Sequence, residues 1–177
     1  MGFRYLAILL VASSLASLAP AQTGDEYQVK GAFVFNFAKF IEWPPEAFKA
    51  PSDSLVICVL GQDQIAGALR ELVRRSSING RPGSVRQLAA GQPVEGCHIL
   101  FVGSSQSKRF RATSGNPAWT LLVGETPGFA ASGGIINFKL EDGRVRFEIN
   151  AAAAEREQFH ISAKLLSLAQ IVKSHTP

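Results

Sequence analysis

The chain has 177 residues and carries 18 lysine or arginine against 14 aspartate or glutamate residues, a formal net charge of +4. This length suits one domain with one hydrophobic core. The basic excess is small, and no run of basic residues is longer than a pair such as Arg74-Arg75. The composition therefore disfavours a nucleic-acid-binding protein.

The first residues have the pattern of a secretory signal peptide. Arg4 precedes a short apolar run at 6–12, and the stretch ends in Ala-Pro-Ala, which supplies a charged start, an apolar centre and an A-x-A cleavage site. The alternative, a membrane anchor, is disfavoured because a spanning helix needs about 20 apolar residues. We predict a signal peptide over 1–21 and an exported, periplasmic domain over 22–177.

Three apolar runs predict the middle of a parallel sheet. They lie at 54–63, 96–105 and 119–128, and glycine followed by polar residues ends each run. Continuous apolar runs suit strands that are covered on both faces. Apolar residues recur at helical spacing over 64–75, and Pro82 indicates a further strand near an edge. This order predicts an α/β fold in a single compact domain, with a mostly parallel sheet flanked by helices and a C-terminal antiparallel β-hairpin.

The hairpin is predicted over residues 134–150. Asp142-Gly143 is a two-residue turn signal of type I′. Counting outward from this turn places every apolar residue opposite an apolar one, and a slip of one residue would mismatch the faces. The predicted pairs are Glu141–Arg144, Leu140–Val145, Lys139–Arg146, Phe138–Phe147, Asn137–Glu148 and Ile136–Ile149.

Helices are predicted at both ends of the exported domain. The first spans Glu26 to Glu42, where apolar residues recur at helical spacing. Asn150 is predicted to cap one helix near the C-terminus, and Ser162 to cap another that continues to Lys173. The apolar stripe of this last helix is predicted to consist of Leu165, Leu168, Ala169 and Val172.

The two cysteines, Cys58 and Cys97, lie on the first and second apolar runs. An even count in an exported protein favours one disulfide, and neighbouring parallel strands would bring the two side chains together. The alternative is a pair of free, buried thiols. No cluster of histidine or cysteine has the spacing of a metal site, so no metal is predicted.

The segment 32–48 contains five phenylalanines and one tryptophan. Its apolar surface is wider than one helical stripe, and a helix of this kind is either deeply buried or meets a second body. One interpretation assigns these rings to the core. The other makes Phe35 and Trp43 the anchors of a dimer or partner interface, because aromatic residues dominate binding energetics.

Charged residues on the outer face of the hairpin form a second candidate site. Lys139 and Arg146 are predicted to be directly opposed, which is unfavourable for like charges, with Arg144 and Glu148 nearby. The face is either solvated or binds an anion or an acidic protein partner.

Polar residues at the strand ends form a third candidate. Open α/β sheets bind ligands outside the carboxyl ends of their strands. A ligand crevice there would use Asp63, Ser104, Ser105 and Glu125. The alternative is that these residues only mark the passage from strand to loop.

No catalytic site is predicted. His98, His160 and His175 lack neighbours at the spacing of a triad or a metal site, and no nucleophile-elbow, zinc-protease or P-loop motif occurs. His98 lies inside an apolar run, which favours packing over catalysis. No enzyme activity and no cofactor are therefore predicted.

Six segments together resemble the YfiR-like periplasmic family, a family catalogued as a domain of unknown function. In chain order they cover nearly all of the exported region, which makes the match specific. They are YQVKGAFVFNFAKFIEWP at 27–44, ICVLG at 57–61, NGRP at 79–82, GCHILFVGSS at 96–105, GFAASGGIINFKLEDGRVRFEINAAAAE at 128–155 and ISAKLLSLA at 161–169.

This resemblance implies a secreted, non-enzymatic α/β domain that restrains an inner-membrane diguanylate cyclase from the periplasmic side. Such restraint lowers cyclic-di-GMP output and biofilm formation. The resemblance also implies an outer-membrane, peptidoglycan-associated lipoprotein that sequesters the regulator, and the capacity to form a homodimer. Relatives contain disulfides, and this chain has the single pair Cys58 and Cys97.

The predicted function is a periplasmic regulatory protein that binds a membrane signalling protein, a diguanylate cyclase by the resemblance. The alternative is a periplasmic small-molecule binding module that uses the crevice at the strand ends. The candidate partner-binding residues are Phe35, Trp43, Lys139, Arg144, Arg146 and Glu148.

Overall fold

The computed structural model describes residues 21–61, 64–108, 110 and 118–174. The predicted signal peptide lies outside these residues except for its last position, so it stays a prediction. The helices are α1 (Ala21–Phe40), α2 (Ile65–Arg75), α3 (Ser104–Ser107), α4 (Ala151–Arg156) and α5 (Ala163–Leu166). The strands are β1 (Ile41–Glu42), β2 (Leu55–Leu60), β3 (Gly83–Leu88), β4 (Ile99–Val102), β5 (Leu121–Gly124), β6 (Ile136–Glu141), β7 (Arg144–Ile149), β8 (His160–Ile161) and β9 (Gln170–Ile171).

The main sheet of the described residues has seven strands in the order β3-β2-β4-β5-β6-β7-β9. Neighbours from β3 through to β6 run parallel, β6 and β7 form an antiparallel hairpin, and β9 lies parallel to β7. This topology confirms the predicted α/β fold. The strand that follows Pro82 lies at an edge of the sheet, as the proline indicated.

The central strands are buried on both faces of the sheet. Successive residues of a strand point to opposite sides, so Ile57 and Ile99 join one apolar cluster while Cys58 and Leu100 join another. The first cluster, which includes apolar residues of α1 and α2, marks the helix-covered face. The second and smaller cluster, which includes Phe129, marks the loop-covered face.

Helix α1 packs on the sheet through its phenylalanines. The ring centroid of Phe37 lies 5.7 Å from that of Phe138 and 5.1 Å from that of Phe147, on the two hairpin strands. A glycine lets α2 approach α1 closely, because a Cβ atom at Gly31 would lie 2.8 Å from the Cβ of Ala68. These contacts hold α1 against both the hairpin and α2.

The hairpin has the predicted register in all six residue pairs. Its turn residues Asp142 and Gly143 have φ values of 49° and 72°, as a type I′ turn requires. Both predicted helix caps are also confirmed. The Asn150 side chain accepts a hydrogen bond from the Ala153 amide at 3.0 Å, and Ser162 accepts one from the Leu165 amide at 3.3 Å.

The prediction of a helix from Ser162 to Lys173 is wrong beyond its first turn. Helix α5 ends at Leu166, and the chain then extends as β9. The reason is non-local: β7 offers unpaired backbone groups, and the amide of Val172 donates to the carbonyl of Ile149 at 2.9 Å. Leu168, expected on the buried stripe, is exposed. Helix α1 likewise ends at Phe40, before the predicted Glu42, because β1 pairs with β8.

The predicted disulfide is present between Cys58 in β2 and Cys97 just before β4, with a Cα–Cα distance of 5.7 Å. Both cysteines are buried in the loop-covered face. The disulfide thus joins two neighbouring strands on the side of the sheet that has the smaller apolar cluster.

Candidate functional site

A cavity of about 460 Å³ lies at the carboxyl ends of β4 and β5, and we call it the strand-end crevice. The first turns of α1 and the hairpin form its other walls. Of the predicted crevice residues, Ser104 and Glu125 line it, whereas Ser105 does not. Asp63 lies outside the described residues. The crevice is also lined by Lys139 and Glu148, so it brings together two candidate groups that the sequence kept apart.

A buried ion cluster forms the floor of the strand-end crevice. The Lys30 ammonium lies 2.5 Å from a carboxylate oxygen of Glu26 and 2.6 Å from one of Glu125, and the side chains of Lys30 and Glu125 are only 6% and 4% exposed. The second oxygen of Glu125 accepts the backbone amide of Ser104 at 2.8 Å. Both oxygens of Glu125 are therefore engaged inside the protein.

The sequence analysis missed Lys30. Burial alone would lower the pKa of Lys30, but its hydrogen bonds and charge interactions with Glu125 and Glu26 outweigh that effect and raise the pKa. The signal that could have found it is a single lysine within the apolar face of α1, four residues after Glu26. Glu125 was predicted as a crevice residue, but nothing in the local sequence pointed to it as the partner of Lys30, which is 95 positions away.

The hairpin charges form a second cluster at the rim of the crevice. Lys139 is opposite Arg146 as predicted, but its ammonium turns to Glu141 at 2.5 Å and Glu148 at 3.8 Å. It also donates a hydrogen bond to the Gln170 side chain on β9. Acidic and polar neighbours thus offset the like-charge opposition.

A groove of about 610 Å³ separates the start of α1 from the outer part of the hairpin, and we call it the α1–hairpin groove. Two of its apolar residues are largely exposed, Val29 by 43% and Leu140 by 55%. Two of the predicted partner-binding residues, Arg144 and Arg146, line it and are exposed. The rest of the lining is Asp25, Glu26, Phe33, Gly143 and Val145.

Phe35 and Trp43, the predicted aromatic anchors, both pack against the hydrophobic core, although Trp43 stays half-buried. Phe35 is 5% exposed, with the ammonium of Lys39 over its ring. The Trp43 indole N–H donates to the carbonyls of Trp119 at 3.1 Å and His98 at 3.3 Å. The burial of Phe35 and the internal hydrogen bonds of Trp43 therefore favour the interpretation that these two rings belong to the core.

His98 is packed inside the protein, as its position in an apolar run indicated. Its Nδ1 accepts the Val56 amide at 3.1 Å, so Nε2 carries the proton and donates to the carbonyl of Ala47 at 3.1 Å. Its ring stacks on Phe48 at a centroid distance of 4.5 Å. Burial is the main cause that lowers the pKa of His98, and the nearby charge of Arg81 adds to it.

Neither a metal-binding cluster nor a membrane-spanning helix is found in the part of the chain that the structure describes. No group of three histidine, cysteine or acidic residues in this part of the chain is placed to hold a metal ion. Within the same residues, no helix combines the length and apolar character that crossing a bilayer requires.

Fold and site together define an α/β domain with a polar crevice at the strand ends and a groove beside the hairpin that is lined by exposed apolar residues and two arginines. The chain belongs to the YfiR/HmsC-like family, DUF4154, whose model matches residues 27–170. This is a family of periplasmic regulators associated with a membrane diguanylate cyclase. No curated protein matches the chain.

Proposed function

We propose that this protein binds the periplasmic part of an inner-membrane diguanylate cyclase and holds the enzyme inactive. Membership of the YfiR/HmsC-like family supports a regulatory role in the periplasm. The proposed action makes and breaks no bond. It depends on a binding equilibrium, so any event that removes this protein frees the cyclase.

The observation that supports a docking surface is the α1–hairpin groove. Single exposed apolar side chains are common on soluble proteins, but Val29 and Leu140 line one cavity and have Arg144 and Arg146 beside them. Arginine is enriched among the residues that dominate binding energy at interfaces, and Arg144 and Arg146 are both exposed. A matching partner surface carries an apolar side chain flanked by carboxylates.

The opposite end of the groove is acidic, which supports a defined orientation of the partner. Asp25 and Glu26 line the groove at α1, whereas Arg144 and Arg146 line it at the hairpin. Charges arranged in this way steer a partner and disfavour its reversed orientation. The carboxylates of the partner would therefore lie at the hairpin end.

Release is proposed to occur by competition. An outer-membrane, peptidoglycan-associated lipoprotein that binds this protein would sequester it from the inner membrane and relieve the restraint.

A second prediction is that the free protein forms a homodimer. Light scattering of the purified domain checks it, with the mass of one chain as the contradicting result.

The test of the docking surface is a binding measurement with the purified periplasmic segment of a diguanylate cyclase from the same genome. Arg146→Glu and Leu140→Asp are each expected to weaken binding at least about tenfold. Both residues are exposed, so the melting temperature should change little. In cells, both variants should raise cyclic-di-GMP relative to the wild type.

The matched control is Arg75→Glu, the same change on α2, where the arginine side chain is 75% exposed and lies outside the groove. It should bind the cyclase segment as the wild type does. Unchanged binding by both groove variants would exclude this surface. A wild-type protein that fails to lower cyclic-di-GMP output would exclude the proposed function itself.

A further inference from the structure

The strand-end crevice has features that a protein-docking surface does not need. Its volume of about 460 Å³ lies within the range of small-molecule pockets, about 300 to 1,000 Å³. It lies outside the carboxyl ends of the strands, where open α/β sheets bind ligands. Its walls combine apolar residues such as Pro127 and Phe138 with several charged side chains.

One wall of the crevice contains a buried polar atom without a partner. Asn137 is 2% exposed and lines the crevice, and its Oδ1 accepts no hydrogen bond within the described structure. The Asn137 amide nitrogen donates to Glu148 at 3.4 Å, which orients the side chain. A buried acceptor left unsatisfied destabilises the folded protein. A ligand that brings a hydrogen-bond donor to this wall would relieve that destabilisation.

The charges of the crevice indicate which donor fits. Its lining has three carboxylates, those of Glu26, Glu125 and Glu148, and two ammonium groups, those of Lys30 and Lys139. The Lys30 ammonium is shared by two of the carboxylates. One negative charge is therefore in excess, and the atom that lacks a partner is an acceptor. Both features favour a donor that carries a positive charge.

We propose that the strand-end crevice binds a small molecule bearing a primary ammonium group. The ammonium donates to Asn137 Oδ1 and lies near Glu148, and the apolar wall contacts the carbon skeleton of the ligand. Polyamines, amino sugars and amino acids share this chemistry. The site is distinct from the proposed docking groove, although Glu26 and Leu140 line both.

The test is a titration of the purified domain with matched probes, by calorimetry and thermal melting. The amine probes are putrescine, glucosamine and glycine amide, and the neutral analogues are 1,4-butanediol, glucose and acetamide. At least one amine is expected to bind and its neutral analogue is not. At a hundredfold excess over the dissociation constant the melting temperature should rise by about 5 to 10 °C. The amine that binds identifies the ligand class.

Variants locate the binding. Asn137→Leu removes the acceptor at similar volume, and Glu148→Gln removes the nearby charge, and each should weaken amine binding at least about tenfold. Glu71→Gln, the same change at a half-exposed position of α2 outside the crevice, should bind as the wild type does.

Two results would overturn the proposal. Failure of all three amines to bind at millimolar concentration excludes an ammonium site. Binding that both crevice variants leave unchanged places the ligand elsewhere. Because no cyclase is present in this experiment, its failure is separate from failure of the proposed regulatory function.

Discussion

The two faces of the sheet are held in different ways. On the helix-covered face, α1 and α2 bury a large apolar cluster in which rings from the helix and the hairpin interlock. On the loop-covered face a smaller cluster surrounds the Cys58–Cys97 disulfide and Phe129. Apolar burial stabilises the first face, whereas the second face combines less burial with a covalent cross-link. The comparison shows that a disulfide can help to stabilise the face of a sheet that helices do not cover.

The largest loss of stability is expected on the helix-covered face. Phe37→Ala removes a fully buried ring that contacts two hairpin phenylalanines, and the free energy of unfolding should fall by about 5 kcal/mol. Phe110→Ala, which truncates a half-buried ring on the loop-covered face, should cost about 2 kcal/mol. Urea unfolding followed by circular dichroism measures both. Equal losses would contradict the difference between the faces.

Removal of the disulfide is expected to cause the second-largest loss of stability. Replacing Cys58 and Cys97 together by alanine opens a loop with a sequence separation of 39, and the chain-entropy relation gives a loss of about 4 kcal/mol. Urea unfolding of the double variant, compared with the wild type under oxidising and reducing conditions, checks this value. Reduction should destabilise only the wild type. If reduction leaves the wild type unchanged, the loop-covered face does not depend on its cross-link.

Two glycines on the helix-covered face allow a smaller and sharper test. Gly31→Ala places a Cβ 2.8 Å from the Cβ of Ala68, and this overlap should outweigh the better helix propensity of alanine, with a net loss of about 1 kcal/mol. Gly67→Ala, on the exposed side of α2 with nothing within 4 Å, should gain about 0.5–1 kcal/mol. Opposite signs in thermal melts are expected. A gain at both positions would show that the helices are not tightly packed at Gly31.

The smallest effect on stability is expected from the protonation of His98, which lies at the amino ends of β2 and β4. Because the folded protein lowers the pKa of His98 below its usual value of 6.5, the folded state binds fewer protons than the unfolded one. This contribution to stability is present above pH 6.5 and is lost as the pH falls through the folded-state pKa. Melts between pH 7.5 and 5 measure the slope. His98→Gln should flatten it, and an equal slope in that variant would assign the loss to other groups.

The sequence predicted the parts of the fold that depend on local pairing. The hairpin register followed from Asp142-Gly143 and the facing apolar residues, and the caps at Asn150 and Ser162 followed from side chains that bond to nearby amides. Both cysteines lie at neighbouring strands because the apolar runs around them pair in parallel.

The parts that were not predicted depend on distant partners. The apolar residues after α5 recur at helical spacing, but this segment forms β9 and pairs with the open edge of β7. The stabilisation from this pairing cannot be read from the local sequence, because β7 is distant in the chain. Lys30 and Glu125 are joined only by the folding of α1 over the ends of the strands. Phe35 shows the same limit, because periodicity could not tell a ring in the core from a ring at an interface.

The short β9 also has a consequence for solubility. It pairs only with Glu148 and Ile149, so within the described residues the outer part of β7 has no partner on that side. Exposed strand edges invite addition of a strand from another molecule and hence aggregation, and charged side chains oppose this. Arg144 and Arg146 lie on this stretch, and their charges are expected to oppose pairing with a strand of another molecule. Reversing their charge keeps that protection, whereas neutral substitutions would be expected to promote fibrous assembly.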